Sequence, residues 1–316
     1  MRIAIVDSKN QDIGLKILFP EADYFIKKIE YQEKITSMNK YNISPIYDWS
    51  KINDINYDYL FIIVTIHDAT SHLNDGNVNK FLKEMIELIN NNNFKKVFLF
   101  DNSDYDIEPS EVIKTYFNPT TEKIDIFFKR NYNKTKLYNN NVVPFTFIMF
   151  GYYSMIEIID NPRFNFNKIN RIYFSGSLFV HEDKEYNNYR RDRIKIYNEI
   201  KHKIYNPGFT THDVYMQEIM NSSLAVDLNG VGDPNKRSFE ILSQGSLRIS
   251  EYNELKWSFD EEFSEETVFK NSVDFLKKTK ALEEKSLYLK CLKKQMDIYK
   301  KYLNKKWIRE YISKYF

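Results

Sequence analysis

Arg237 and Glu240 stand three residues apart in the stretch GVGDPNKRSFEILSQGSLRISE (residues 230–251), with Lys236 beside the arginine. Adjacent cations attract phosphate, and a carboxylate on the same side of a helix can accept hydrogen bonds from two neighbouring hydroxyls, as on a ribose or a sugar ring. Ser238 is a further candidate contact. The residue types therefore suit a ligand with both an anionic and a polyhydroxyl part. The plainer reading of Lys236 and Glu240 is a surface ion pair one helical turn apart, contributing roughly 0.3–0.5 kcal/mol.

The surrounding residues explain how such a group would be held. SLAVDLN (223–229) reads as a strand, Gly230 and Gly232 as a loop, Asp233 as an N-cap, Pro234 as the first helical residue and Gly245 as the stop. That order carries a helix N-terminus, with free N–H groups and partial positive charge, to the carboxyl end of a strand, which is an anion site. Cations in the first turn run against the usual preference for acids, and a bound phosphate would account for them. Phe239 and Leu242 occupy another side of the helix and anchor it. A second glycine turn, RIYFSGS (171–177), ends a strand and offers Gly176 and Ser177 either to a phosphate or to an ordinary tight turn.

The first half supplies candidates for proton transfer. Asp101 follows the strand-like KVFLF (96–100), and TIHDATSH (65–72) places His67 and Asp68 after another apolar run. Ligands of open α/β sheets sit beyond the carboxyl ends of strands, so Asp101 is the first choice for a base, with Asp68 and His67 behind it. Asp101 and Asp104 also fit a turn, and the His67 segment also fits a solvated loop. Lys129 and Arg130 either edge a strand or face a diphosphate. His181, His202 and His212 lack metal-ligand spacing, and DNSD (101–104) lacks the Asp-x-Asp separation, so neither a metal nor a cofactor is expected.

The elements that position these residues repeat a strand–helix theme. RIAIVD (2–7), YLFIIVTI (59–66), KVFLF, IDIFF (124–128) and VVPFTF (142–147) are apolar runs of strand length, as in a sheet covered on both faces. VNKFLKEMIELINN (78–91) puts Phe81, Met85, Leu88 and Ile89 on one helical face. In the second half, strands at 171–177, 223–229 and 246–250 alternate with helices, and from Asp274 the chain is mostly helical. Parallel βαβ units follow. A plausible linker, MIEIIDNPRFNFNKIN (155–170), separates domains 1–160 and 161–316.

With 316 residues the chain can bury two cores, and a net charge of +2 is too small to draw a nucleic acid by bulk attraction. One cysteine, Cys291, fits a reducing compartment. No apolar run approaches the about eighteen residues of a membrane span, and the opening MRIAIVDSKNQDIG lacks a signal-like core. A soluble, cytoplasmic protein is expected. The C-terminal KKYLNKKWIREY reads as a solvated helical face or as a peripheral contact with a membrane surface.

The stretch KRSFEILSQGSLRISE, behind a glycine loop and a strand, resembles the donor-binding segment of GT-B glycosyltransferases, in particular the group 1 branch that includes CgeB-like proteins. KVFLFDNSDYD and IDIFFKRNY resemble N-terminal-domain strands of that branch, and IYFSGS the first strand and loop of its C-terminal domain. The resemblance implies an α/β fold of two Rossmann-like domains facing across a cleft, with a helical C-terminus. It implies transfer of a sugar from a nucleotide-sugar donor, held by the second domain, to a glycan or glycoconjugate acceptor on the first. Arg237 and Lys236 would take the donor phosphates, Glu240 its hydroxyls. Retaining members carry a second Glu seven residues after the first; here that position is Leu247. Two other classes fit the same elements: a non-catalytic module binding a nucleotide or glycan, and a two-domain sugar-nucleotide enzyme such as an epimerase. No G-x-G-x-x-G follows the first strand, which counts against a generic dinucleotide enzyme.

Overall fold

The computed structural model describes residues 1–7, 13–26, 32–64, 77–102, 109, 111, 123–147, 155–160, 162–165, 167–176, 193–208, 210–229 and 236–316. The chain divides into two compact units, one made of Met1–Glu157, Leu255–Ser258 and Lys305–Phe316, the other of Ile158–Glu254 and Phe259–Asn304.

The first unit is built on a six-stranded sheet of β1 (Ile3–Asp7), β2 (Asp23–Ile26), β3 (Tyr59–Val64), β4 (Lys96–Asp101), β5 (Ile126–Lys129) and β6 (Val142–Pro144). The order is β2-β1-β3-β4-β5-β6, and all pairs are parallel. Helices α1 (Gly14–Leu18), α2 (Gln32–Lys40), α3 (Asn77–Asn91) and α4 (Met155–Ile159) lie along this part of the chain, α4 ending inside the second unit. Alternation along each strand feeds two cores. Leu60, Ile62 and Val64 point to one face with Val97 and Leu99, where Phe81, Met85 and Ile89 of α3 close over them. Phe61, Phe98, Phe100 and Phe128 point to the other.

The second unit has a four-stranded parallel sheet, order β10-β9-β8-β7, of β7 (Ile169–Tyr173), β8 (Ser222–Asp227), β9 (Leu247–Glu251) and β10 (Val268–Phe269). Its helices are α5 (193–200), α6 (His212–Asn221), α7 (Lys236–Ser243), α8 (Ser272–Ala281) and α9 (Lys285–Tyr302). Phe174, Leu224, Val226, Ile249 and Phe275 form the core on one face, and Tyr173, Ala225, Ile219 and Ile241 that on the other. Gly245 ends α7 at φ +66°, and a Cβ there would stand 2.5 Å from the Phe164 ring. Both the left-handed backbone and the close approach call for glycine.

The last helix, α10 (Lys305–Ser313), joins the first unit, whereas the sequence grouped residues 161–316 together. Its apolar residues Ile308, Tyr311 and Ile312 are buried, so this segment is amphipathic and covers a core, and only its other face is solvated. Phe316 stacks on Tyr59 at 4.6 Å and lies 5.7 Å from Phe98, while the Tyr311 hydroxyl donates to Pro144 O at 2.7 Å.

Candidate functional site

Arg237 sits in the first turn of α7, near the carboxyl ends of β7 and β8. Its guanidinium lies over the Phe174 ring, 4.9 Å from the centroid, and against Gly176, where any Cβ would overlap it. Its Nε and Nη1 are buried and have no hydrogen-bond partner. Buried donors are normally paired, so an arginine held this way has donors in reserve for an anion. A glycine at 176 is what lets the guanidinium take this position.

Glu240, one turn along, is only 4% exposed. The Tyr215 hydroxyl donates to Oε2 at 2.8 Å, Lys236 Nζ lies 3.4 Å from Oε1 and His212 Nδ1 lies 3.9 Å from Oε1. Lys236 and Glu240 therefore do form the helical ion pair, but with a buried carboxylate. Burial, joined by the Lys236 charge, pushes His212 below its ordinary value against the pull of Glu240 and Asp213, so the imidazole is neutral at physiological pH. Burial and the Glu240 charge hold the Tyr215 phenol well above its ordinary value, so it stays a donor.

Beneath this layer lies a frame. Asp227, at the end of β8, accepts from Ser238 Oγ at 2.6 Å and from Arg248 Nε at 2.6 Å. Burial opposes ionisation of Asp227, but the Arg248 and Arg237 charges and the two hydrogen bonds outweigh it and hold the carboxyl below its ordinary value. Ser238 is 1% exposed and turned toward Asp227, so its hydroxyl ties α7 to β8.

The first unit has a different arrangement at its strand ends. Asp101 and Lys129 are directly opposite in the β4–β5 register, and Lys129 Nζ donates to Asp101 Oδ2 at 2.9 Å with both side chains essentially unexposed. Asp7, ending β1, is also buried and accepts from the Tyr24 hydroxyl at 2.9 Å. Arg130 is buried beside them.

Structure thus brings Arg237, Lys236 and Glu240 together with Gly176, and turns Ser238 inward. Asp101 lies in the other unit. Gly230, Gly232, Asp233 and Pro234, and likewise Ser177, His67, Asp68, Asp104 and His181, lie outside the described residues. Tyr215 and His212 were not singled out from sequence for this site; both come from α6, and nothing local marks a residue that meets a carboxylate 25 or more positions downstream. Among the described residues no group of three or more His, Cys, Asp or Glu could hold a metal ion, and no helix is long and apolar enough to cross a membrane.

No protein-family model matches the chain, and no curated protein matches it in sequence. Solved structures do match in fold. HepE of Anabaena, in complex with UDP-glucose, aligns over 99% of this chain and 98% of its own at TM-score 0.57 and 9% identity. A glycosyltransferase from Rickettsia africae aligns over 99% and 97% at 0.54 and 11%, and sucrose-phosphate synthase from Thermosynechococcus elongatus over 99% and 98% at 0.54 and 9%. The fold is the α/β GT-B type, with two Rossmann-like parallel-sheet units and a helical C-terminus. At these identities the likeness is one of fold.

Proposed function

We propose that the protein is a GT-B glycosyltransferase that moves a sugar from a nucleoside-diphosphate donor to a hydroxyl of a glycan or glycoconjugate, without a metal ion and in the cytoplasm. The observation that carries this reading is the Arg237 guanidinium, with two buried donors lacking a partner at the strand ends of a GT-B-type sheet. HepE, alike in fold, is described in complex with UDP and with UDP-glucose. The KRSFEILSQGSLRISE stretch supports placement in the group 1, CgeB-like branch.

The second unit binds the donor and the first the acceptor. Arg237, with Lys236 alongside, takes the diphosphate, and positive charge on this group stabilises it as it departs. Glu240 accepts from ribose or sugar hydroxyls. The acceptor oxygen bonds to the anomeric carbon as the bond from that carbon to the diphosphate oxygen breaks, and the electron pair leaves with the diphosphate. The acceptor proton passes to a base, for which Asp101 is the first candidate and Asp68 and His67 the next; with retention it passes to the leaving phosphate. Lys129 on Asp101 Oδ2 competes with a role as base. That contact favours, as a second reading, a module that binds the donor without transferring it.

The test is calorimetric titration with UDP and other nucleoside diphosphates, followed by turnover of the sugar-bearing form with and without chelator. Saturable binding with chelator-resistant transfer or hydrolysis supports the proposal. Binding without either favours the module, and no nucleotide binding removes both. Measured per folded protein, because the change also takes a carboxylate from buried Lys129, Asp101→Asn should lower turnover by roughly a hundredfold with donor affinity unchanged if Asp101 is the base.

A further inference from the structure

The second sheet has another opening at its opposite end. At the amino ends of β7, β8 and β9, far along the strands from Arg237, lies an open groove of about 1240 Å³. Its volume exceeds the roughly 300–1,000 Å³ of ordinary small-molecule sites. One face of α9 lines it with Tyr288, Leu289, Leu292 and Met296, and Leu276 of α8 and Phe164 complete the apolar wall. Leu292, Leu276 and Tyr288 also pack against the buried core, so the wall is fixed. Leu289, by contrast, is 49% exposed and Phe164 38%. Large apolar side chains left exposed in one concavity call for an apolar occupant.

Charge identifies the occupant further. Six Lys and Arg residues line the groove against a single acid, Glu283. Glu283 pairs with Lys280, and Arg171 pairs with Glu218. Among the described residues Lys168, Lys203, Lys285 and Lys300 have no carboxylate partner. Lys168 is half-buried and donates to Met220 O at 2.7 Å, within 3.4 Å of Gln244 O and 3.3 Å of Ser246 Oγ. Burial without a counter-charge holds it down at about 8. An apolar wall with an unneutralised cationic rim fits one chemistry, a long hydrocarbon chain ending in an anion.

We propose that this groove binds a single-chain anionic amphiphile, a free long-chain carboxylate, whose alkyl chain lies along α9 and whose head meets the lysine rim. The site is separate from the donor site and independent of its assignment. Laurate, kept below its micelle concentration, is the probe, titrated into the full chain by calorimetry, with dodecyltrimethylammonium as the same chain carrying the opposite charge and octanoate as the shorter one. Laurate should bind at one site, at least tenfold tighter than either comparator. Leu289→Asp, and separately Lys285→Glu with Lys300→Glu, should each weaken it by about tenfold or more, with the thermal midpoint of the free protein little changed because all three side chains are exposed. UDP titrations run in parallel should be unmoved by these variants. No saturable laurate binding, equal affinity for the cationic probe, or binding indifferent to both sets of variants overturns the proposal. So does a concentration-dependent dimer that Leu289→Asp abolishes in the absence of laurate binding, because the groove would then be covered by a second copy.

Discussion

Lys129 in the first unit and Arg237 in the second lie near the carboxyl ends of parallel strands, and they are treated differently. Lys129 meets Asp101 across adjacent strands at 2.9 Å and is neutralised within the fold. Arg237 rests on Phe174 and Gly176 with two buried donors unpaired. The first arrangement is complete without a ligand. The second leaves a desolvation cost outstanding that an anion would relieve, and the proposed phosphate role of the second unit rests on this contrast.

The largest effect should come from removing one partner of the closed pair. Lys129→Ala removes the cation that faces a buried carboxylate and should lower unfolding free energy by about 3–5 kcal/mol in a urea titration. Lys129→Met combined with Asp101→Asn should recover most of that loss, since replacing both members of a buried pair is often close to neutral. If the single and double variants are equally unstable, the pair is not the source of the loss.

Arg237→Ala should behave differently. Stability should fall far less than in Lys129→Ala, because only the packing on Phe174 and the charge support of Asp227 are lost, while UDP affinity falls by about ten- to a hundredfold, the roughly 1.5–3 kcal/mol of a charge-assisted contact. A nucleoside monophosphate should lose less. A comparable drop in stability would place Arg237 in the same class as Lys129.

Gly176→Ala is a finer test of the same cradle. The added Cβ must push the guanidinium aside, so UDP binding should weaken by about tenfold, and the Arg237→Ala, Gly176→Ala double variant should be no worse than Arg237→Ala alone. Additive losses would mean that Gly176 acts by another route.

The smallest effect concerns acid. Asp227 is held below its ordinary value in the folded chain, so its contribution is present above the unfolded value of about 3.9 and is lost as pH falls through the lower folded value. Stability should therefore decline with acidification more steeply in the wild type than in Asp227→Asn. Equal slopes of urea midpoint against pH would show that Asp227 titrates alike in both states.

Much of the architecture is legible in the sequence because strands covered on both faces read as unbroken apolar runs, as at Tyr59–Val64 and Lys96–Asp101. The four-residue β2 escapes notice because it opens on Asp23 and runs into a charged stretch, leaving too little apolar length to mark a strand. The cations of KKYLNKKWIREY suggest a solvated face, and they hide the 308, 311, 312 spacing that buries the other side of α10; a helical period in any case says nothing about which core that side covers. In the site, Lys236, Arg237 and Glu240 are readable because their spacing falls within one helix. Tyr215 reaches Glu240 from a different helix, and Lys129 reaches Asp101 only through strand register. A single sequence carries no local trace of either meeting.

The return of residues 305–316 to the first sheet bears on how the protein is made. During synthesis the aromatic face of that sheet emerges early, yet Tyr311 and Phe316, which cover it, are translated more than 160 residues after β6. At about 5–20 residues per second the face stays uncovered for on the order of ten to thirty seconds. Through that interval Phe61, Phe98 and Phe128 offer a sticky surface to chaperones and to neighbouring nascent chains, while the second unit, with its own strands and helices complete by Asn304, is free to fold first.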